Sequence, residues 1–247
     1  MTERGAFLDK VAGILGKPRG RAVDPDAATH LAEGIEEARL AAEKVRRTAH
    51  DEAASLMDGL AQGAAQLGWV VHRTVSHEDA ADAVLEICRR AAVRTALRAD
   101  MPVFGRVPVD RTLQAAGIDI STAARPAGDT YTDDARRRIR AAAFAVDVGI
   151  TGVEYAVAET GTAVLHPRQG LSRLVSLAPP RHVAIVERGQ ALPSLDELFL
   201  LEREAFLSGT LTSSFNLISG PSKTGDIAAT IVQGVHGPVE VHMVLVG

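Results

Sequence analysis

Cysteine is almost missing from this chain. The single one, Cys88, excludes an internal disulfide, and one thiol cannot hold an iron–sulfur cluster or a structural zinc, which take several thiolates. Electrons moved in any reaction served by this chain are therefore expected to move on another protein. Long apolar runs are missing too: none approaches the ~20 residues of a membrane helix, so no membrane span is expected. The opening Met1-Thr2-Glu3-Arg4-Gly5 carries acid and base where a signal peptide has an apolar core, so the expected location is the cytoplasm. Excess positive charge is absent as well: 27 Lys+Arg against 31 Asp+Glu give a net charge of −4, which removes the basic field that nucleic acid needs. No Gly-x-Gly-x-x-Gly, nucleophile elbow, paired-histidine helix or cysteine pair occurs, so a dinucleotide dehydrogenase, a serine hydrolase and a metal site all lack support.

What is present suits a globular chain. The 247 residues are 46% hydrophobic and 23% charged, enough for one core with an appendage at ~150 residues per domain. The expected division is a helical extension over 1–66 and an α/β domain over 67–247. In the extension, Phe7, Val11, Ile14 and Leu15 share one helical face, and Asp24-Pro25 starts a longer helix. Its narrow stripe runs through Leu31, Ile35, Ala38, Ala42, Val45, Ala49, Ala53, Leu56 and Leu60, with Gly59, Gly63 and Gly68 as candidate breaks. So narrow an alanine seam packs a helix closely, either from its own chain or from a second copy in a homo-oligomer.

From Trp69 the period changes to alternating strand and helix. A strand over Trp69 to Val75 leads into a helix capped at Ser76, and weaker strands follow near Val93 to Leu97 and Gly117 to Ser121. Thr132-Asp133-Asp134 caps a helix whose Arg136, Arg137, Arg138 and Arg140 form a solvated face. Asp147 to Ile150 reads as a strand, and Tyr155 to Ala158 with Thr162 to Leu165 reads as a hairpin about Glu159-Thr160-Gly161. Leu174 to Leu177 and Val183 to Val186 read as buried strands, and Ser194-Leu195-Asp196-Glu197 as a capping box opening a helix through Phe206. Asn216 to Ser219, a helix over Ile227 to Gln233 and a strand over Val239 to Val246 complete the expected βαβ unit. The fold class is α/β, with a mostly parallel central sheet flanked by helices.

Chemistry concentrates in two stretches. In Ser219-Gly220-Pro221-Ser222-Lys223-Thr224, between an expected strand end and helix start, free N–H groups and the helix dipole favour an anion. The hydroxyls of Ser219, Ser222 and Thr224 add donors, and Lys223 adds charge in a chain with only three other lysines. The hairpin tip brings Glu159 as candidate acid, base or nucleophile, with Thr160, Gly161 and Thr162 beside it. Glu154 is the alternative carboxylate. His236, set between Gly234 and Gly237-Pro238, is a further candidate imidazole, and His166, Arg168 and Arg173 could add positive charge. His72, His182 and His242 lie in strand patterns and read as structural.

These stretches carry a resemblance. Gly149-Ile150-Thr151-Gly152 through Ala158-Glu159-Thr160-Gly161-Thr162, the segment Arg173 to Val186, and Ser219 to Thr224 through Gly234-Val235-His236-Gly237-Pro238 come in one order. Together they resemble the lactate-utilisation protein C family, the LUD-domain proteins, from roughly Trp69 onward. The resemblance implies a fold like that of glucosamine-phosphate isomerase, ribose-phosphate isomerase and the CoA transferases. It also implies a part in oxidising L-lactate to pyruvate beside two partner proteins that carry iron–sulfur clusters, with no cofactor on this chain. The expected ligand is a small carboxylate or a phosphorylated molecule. Two alternatives stay open: a stand-alone isomerase or CoA-transferase-like enzyme using Glu159, and a non-catalytic scaffold or regulatory subunit docking through its N-terminal helices.

Overall fold

The computed structural model describes residues 34–123, 133–168, 172–225 and 231–247, together with Lys10. The helix predicted around Phe7 to Leu15 and the Asp24-Pro25 start lie outside the described residues. Helix α1 (Ile35–Asp51) follows Gly34, whose N–H donates to the Glu37 carboxylate at 3.0 Å. It parts from α2 (Ala53–Leu67) only at Glu52, where φ is −99° and ψ is 13°. Gly59 and Gly63 do not break α2; it ends at Gly68, in the left-handed region at φ +96°. Ala38, Ala42, Val45, Ala49, Ala53, Leu56 and Leu60 are all buried and Ile35 is half-buried, so from Ile35 onward the stripe read from the sequence is the packed one, and Leu31 lies outside the described residues. Helix α7 (Leu195–Leu207) of the same chain lies against α1, with Arg46 paired to Glu204 across them. The seam is filled from within the chain.

Six parallel strands form the central sheet: β1 (Val70–Thr74), β2 (Thr95–Arg98), β3 (Asp119–Thr122), β4 (Val148–Thr151), β7 (Arg181–Glu187) and β12 (Glu240–Val246), in the order β1-β12-β7-β4-β2-β3. The central β7 and β12 bury Val183 to Val186 and Val241 to Val246 without alternation, as strands covered on both faces must. One face carries α3 (His77–Arg90), α4 (Val109–Ala115), α5 (Asp133–Ala145) and a single turn, α6 (Leu174–Leu177). The other carries α2, α7 and a small mixed sheet, β8 (Ala191–Leu192), β5 (Tyr155–Val157), β6 (Thr162–Leu165) and β9 (Asn216–Ile218), in that order. The domain division expected after residue 66 falls inside α2, whose Leu60 and Ala64 are fully buried against this small sheet.

Local chemistry explains the helix starts. Ser76 Oγ accepts the Asp79 N–H at 3.0 Å, and in α7 Ser194 Oγ accepts the Asp196 N–H while Glu197 takes the Ser194 N–H, both at 3.0 Å. Replacing Ser194 by alanine is therefore expected to cost about 1 kcal/mol, read as a lower urea midpoint with unchanged slope. On α5, Arg136, Arg137 and Arg138 are exposed and pair with Asp133 and Asp134, the solvated face expected of them. Among the described residues no helix is long and apolar enough to cross a membrane.

Three local expectations need correction. Leu174 to Leu177 is a helical turn, not a strand: Pro179 and Pro180 follow at once, and Gly149 leaves room for the Val175 carbonyl to lie directly on β4. Residues 231–233 of the expected helix over Ile227 to Gln233 are strand β11 (Ile231–Gln233), paired antiparallel with β10 (Lys223–Gly225). Residues 227–230 lie outside the described residues. Finally, β9 pairs antiparallel with β6 and not with β12, so the expected terminal βαβ unit does not form. The β-branched pair Ile231-Val232 ahead of Gly234 suits a short strand as well as a helix, and periodicity over so few residues cannot separate them.

Candidate functional site

Open parallel sheets place ligands at the carboxyl ends of strands where the connections diverge. Here that point lies between β2, which leads on to β3, and β4, which leads the other way to β7. It is occupied by the chain itself. A Cβ on Gly152 would meet Val103 at 2.8 Å and Met101 at 3.4 Å, and beside them Arg98 holds Asp110 through two bonds of 2.6 and 2.8 Å.

The two signature stretches meet elsewhere, on the opposite edge of the small sheet. In the β5–β6 hairpin Val157 faces Thr162, and β9 on the far side of β6 carries the chain into Ser219. This brings three hydroxyls into line: Thr162 Oγ1 lies 2.8 Å from Thr160 Oγ1 and 2.7 Å from Ser219 Oγ, and 3.0 Å from the Thr160 carbonyl. Thr162 is buried and has one proton for these three oxygens. When it gives that proton to Ser219, the Ser219 proton is free to turn outward, and Ser219 is the exposed end of the row. A negatively charged acceptor in front of Ser219 would select that arrangement.

Helix α2 backs this junction at unusually close range. A Cβ on Gly63 would lie 2.6 Å from the Ala158 carbonyl oxygen, and one on Gly220 would lie 2.5 Å from that of Leu67. Gly161, at φ +52°, sits directly on the backbone of Gly63 and Ala64. Lys223 also lies beside the carboxyl end of α2. Its Nζ lies 3.5 Å from where a Gly68 Cβ would stand, near the last carbonyls of the helix, where a cation is favourable. Lys223 is exposed on β10, which pairs with β11, so among the described residues no helix follows this loop to supply the expected dipole.

The remaining candidates divide. Ser222 belongs to the scaffold: its N–H donates to the Pro238 carbonyl at 2.9 Å, its carbonyl accepts the Gly234 N–H at 3.0 Å, and its hydroxyl accepts the His236 N–H at 3.2 Å. The Ser219–Thr224 and Gly234–Pro238 signatures are thus two sides of one folded unit, with Thr224 paired to Val232 and the His236 side chain exposed. Glu159 is exposed, and its carboxylate accepts the Leu195 N–H at 3.5 Å, at the start of α7 rather than at the hydroxyl row. Glu154 pairs with Arg168, and His166 with the buried Glu202 at 2.7 Å. Cys88 is buried, which pushes its thiol up to about 11, so it carries no thiolate at neutral pH. Among the described residues no group of His, Cys, Asp and Glu could hold a metal ion. Sequence reasoning missed the part of α2; its signal was Gly59 and Gly63 one turn apart inside a helical stripe, which marks close approach as well as a break.

Comparison with known proteins bears on the same segments. A model of the LUD domain family matches residues 57–246. The lactate utilization protein C of Bacillus subtilis is 40% identical over 101 residues, which are 40% of this chain and 42% of that protein. That of Shouchella clausii is 33% identical over 159 residues, 62% of this chain and 69% of its own. The chain thus spans less than half of the first relative's length in alignment and about two thirds of the second's. A crystal structure of a DUF162 family protein from Deinococcus radiodurans shares the fold, with a TM-score of 0.51 at 20% identity over 79% of this chain and 98% of the other.

Proposed function

The chain belongs to the LUD-domain family, and on that premise we propose that it serves L-lactate utilisation as a subunit that binds a small anion at the Thr160–Thr162–Ser219 junction. The relatives named for lactate utilisation support the process. The observation that carries the site is the 2.7 Å contact between Thr162 and Ser219, which joins the two separate signatures in one row of hydroxyls. Ser219 offers the outward donor, Thr160 and Thr162 set its orientation, and Lys223 adds positive charge nearby. The ligand is a small carboxylate or a phosphorylated molecule.

The oxidation of L-lactate to pyruvate falls, in this reading, to partner proteins that carry iron–sulfur clusters. With a single, buried thiol, the donors of this chain do not fit a cluster. Deleting the gene is expected to abolish growth on L-lactate as sole carbon source while growth on pyruvate continues. Complementation by the Ser219→Ala, Thr162→Val double variant is expected to fail although the protein accumulates. Full growth of the deletion strain on L-lactate would overturn the process; full rescue by the double variant would overturn the site alone.

A further inference from the structure

A second feature lies on the other face of the central sheet, at the amino ends of β1, β7 and β12. There α3 leaves a cavity of about 290 Å³ lined by His72, Glu86, Arg90, Arg181, Glu240 and His242, with an apolar remainder. Its polar groups are ordered by the strand register. Arg181 and Glu240 are direct neighbours on β7 and β12 and form a 2.9 Å ion pair. His242 and His72 sit diagonally on β12 and β1, pointing to the same face, with His72 Nε2 3.1 Å from His242 Nδ1. His242 Nε2 in turn lies 3.1 Å from the Glu240 carboxylate.

The tautomers follow. Burial, before any other cause, holds both imidazoles below their ordinary value, so both are neutral at pH 7. An ionised carboxylate only accepts, so His242 carries its proton on Nε2, and its Nδ1 accepts from Nε2–H of His72. That leaves Nδ1 of His72 as a lone-pair acceptor. The two arginines complement it. Arg90 bonds Glu86 and Arg181 bonds Glu240 through Nε, at 2.8 and 2.9 Å, leaving the terminal amino groups of both forks uncommitted among the described residues. Two guanidiniums, two carboxylates and two neutral rings sum to zero charge, a lining that tolerates a monoanion better than a dianion.

We infer that this cavity binds a small hydroxycarboxylate, its carboxylate held by the terminal amino groups of Arg90 and Arg181 and its hydroxyl donating to Nδ1 of His72. The site lies across the sheet from the hydroxyl junction and does not depend on it. The test is a titration of the full chain with L-lactate, pyruvate, propionate and inorganic phosphate, followed through the ring nitrogens of His72 and His242 by NMR. L-lactate is expected to shift both rings and to bind about tenfold tighter than pyruvate or propionate, which lack the donated hydroxyl. Arg90→Gln, at a largely exposed side chain that folding does not need, is expected to weaken binding about tenfold. Ser219→Ala should leave the shifts in place. Equal binding of propionate and L-lactate, tighter binding of phosphate, no shift with any ligand, or an Arg90→Gln chain that binds as before would each overturn the inference. Loss of the shifts in Ser219→Ala would assign them to the junction, ending this inference and leaving the proposed function standing.

Discussion

Gly161→Ala is expected to destabilise the protein by roughly 2–4 kcal/mol, the range of severe core changes, and to abolish growth on L-lactate. Two causes add. At φ +52° the residue is in the left-handed region, where a side chain costs on the order of 1 kcal/mol. The new methyl would also stand 2.6 Å from the Ala64 Cα, inside the backbone of α2, which has no rotamer to change. The hairpin tip must then lift from α2, and the Thr160–Thr162–Ser219 row goes with it. Gly117→Ala separates the two causes: Gly117 has φ +78° but nothing within 4 Å of its Cβ, so it should lose only about 1 kcal/mol. Equal losses in the two variants, measured by urea unfolding, would mean that α2 does not bear on the turn.

The second large effect is on stability against pH. His182 is fully buried on β7, with Nε2 2.9 Å from Thr151 Oγ1, and burial pulls it down to about 3. Its Nδ1 has no hydrogen-bond partner among the described residues. The unfolded chain binds a proton below about pH 6.5 that the folded chain refuses, so stability is complete above that value and falls with acid toward pH 3. The expected slope is about 1.4 kcal/mol per pH unit across that window. His72 and His242, also held low by burial, act with the same sign. Asp147, held low first by the Arg94 N–H, and Glu187, held low first by Arg106, add to the loss only near pH 4 and below. Urea midpoints at pH 7.5 and 5.0 therefore isolate the histidines. His182→Gln is expected to lose much less than the parent chain between those values; parallel losses would place the effect elsewhere.

Much of this architecture could be read from residue order. Ser76, the Ser194–Glu197 box and the continuous apolar runs of β7 and β12 name their own elements, because caps and doubly covered strands leave local signals. The hairpin about Glu159-Thr160-Gly161 was equally legible. Partner choice was not. Nothing local tells Asn216 to Ile218 that it pairs with β6 rather than with β12, and four apolar residues such as Leu174 to Leu177 serve a helical turn or a strand alike. For the same reason the candidate site was half legible: Ser219, Thr160 and Thr162 come together, while Ser222 is spent on the His236 N–H and Glu159 is drawn to the start of α7. The histidine pair across β1 and β12 was hidden because each histidine, taken alone, is an ordinary strand residue.

Amide hydrogen exchange on the full chain, with and without L-lactate, pyruvate or inorganic phosphate, tests most directly whether the hairpin tip and the Ser219 segment act as one anion site. The predicted result is that at least one of these anions slows exchange over 158–163 and 216–224 together, and that Ser219→Ala removes both changes. Protection of one segment without the other, or of neither by any of the three, would contradict it.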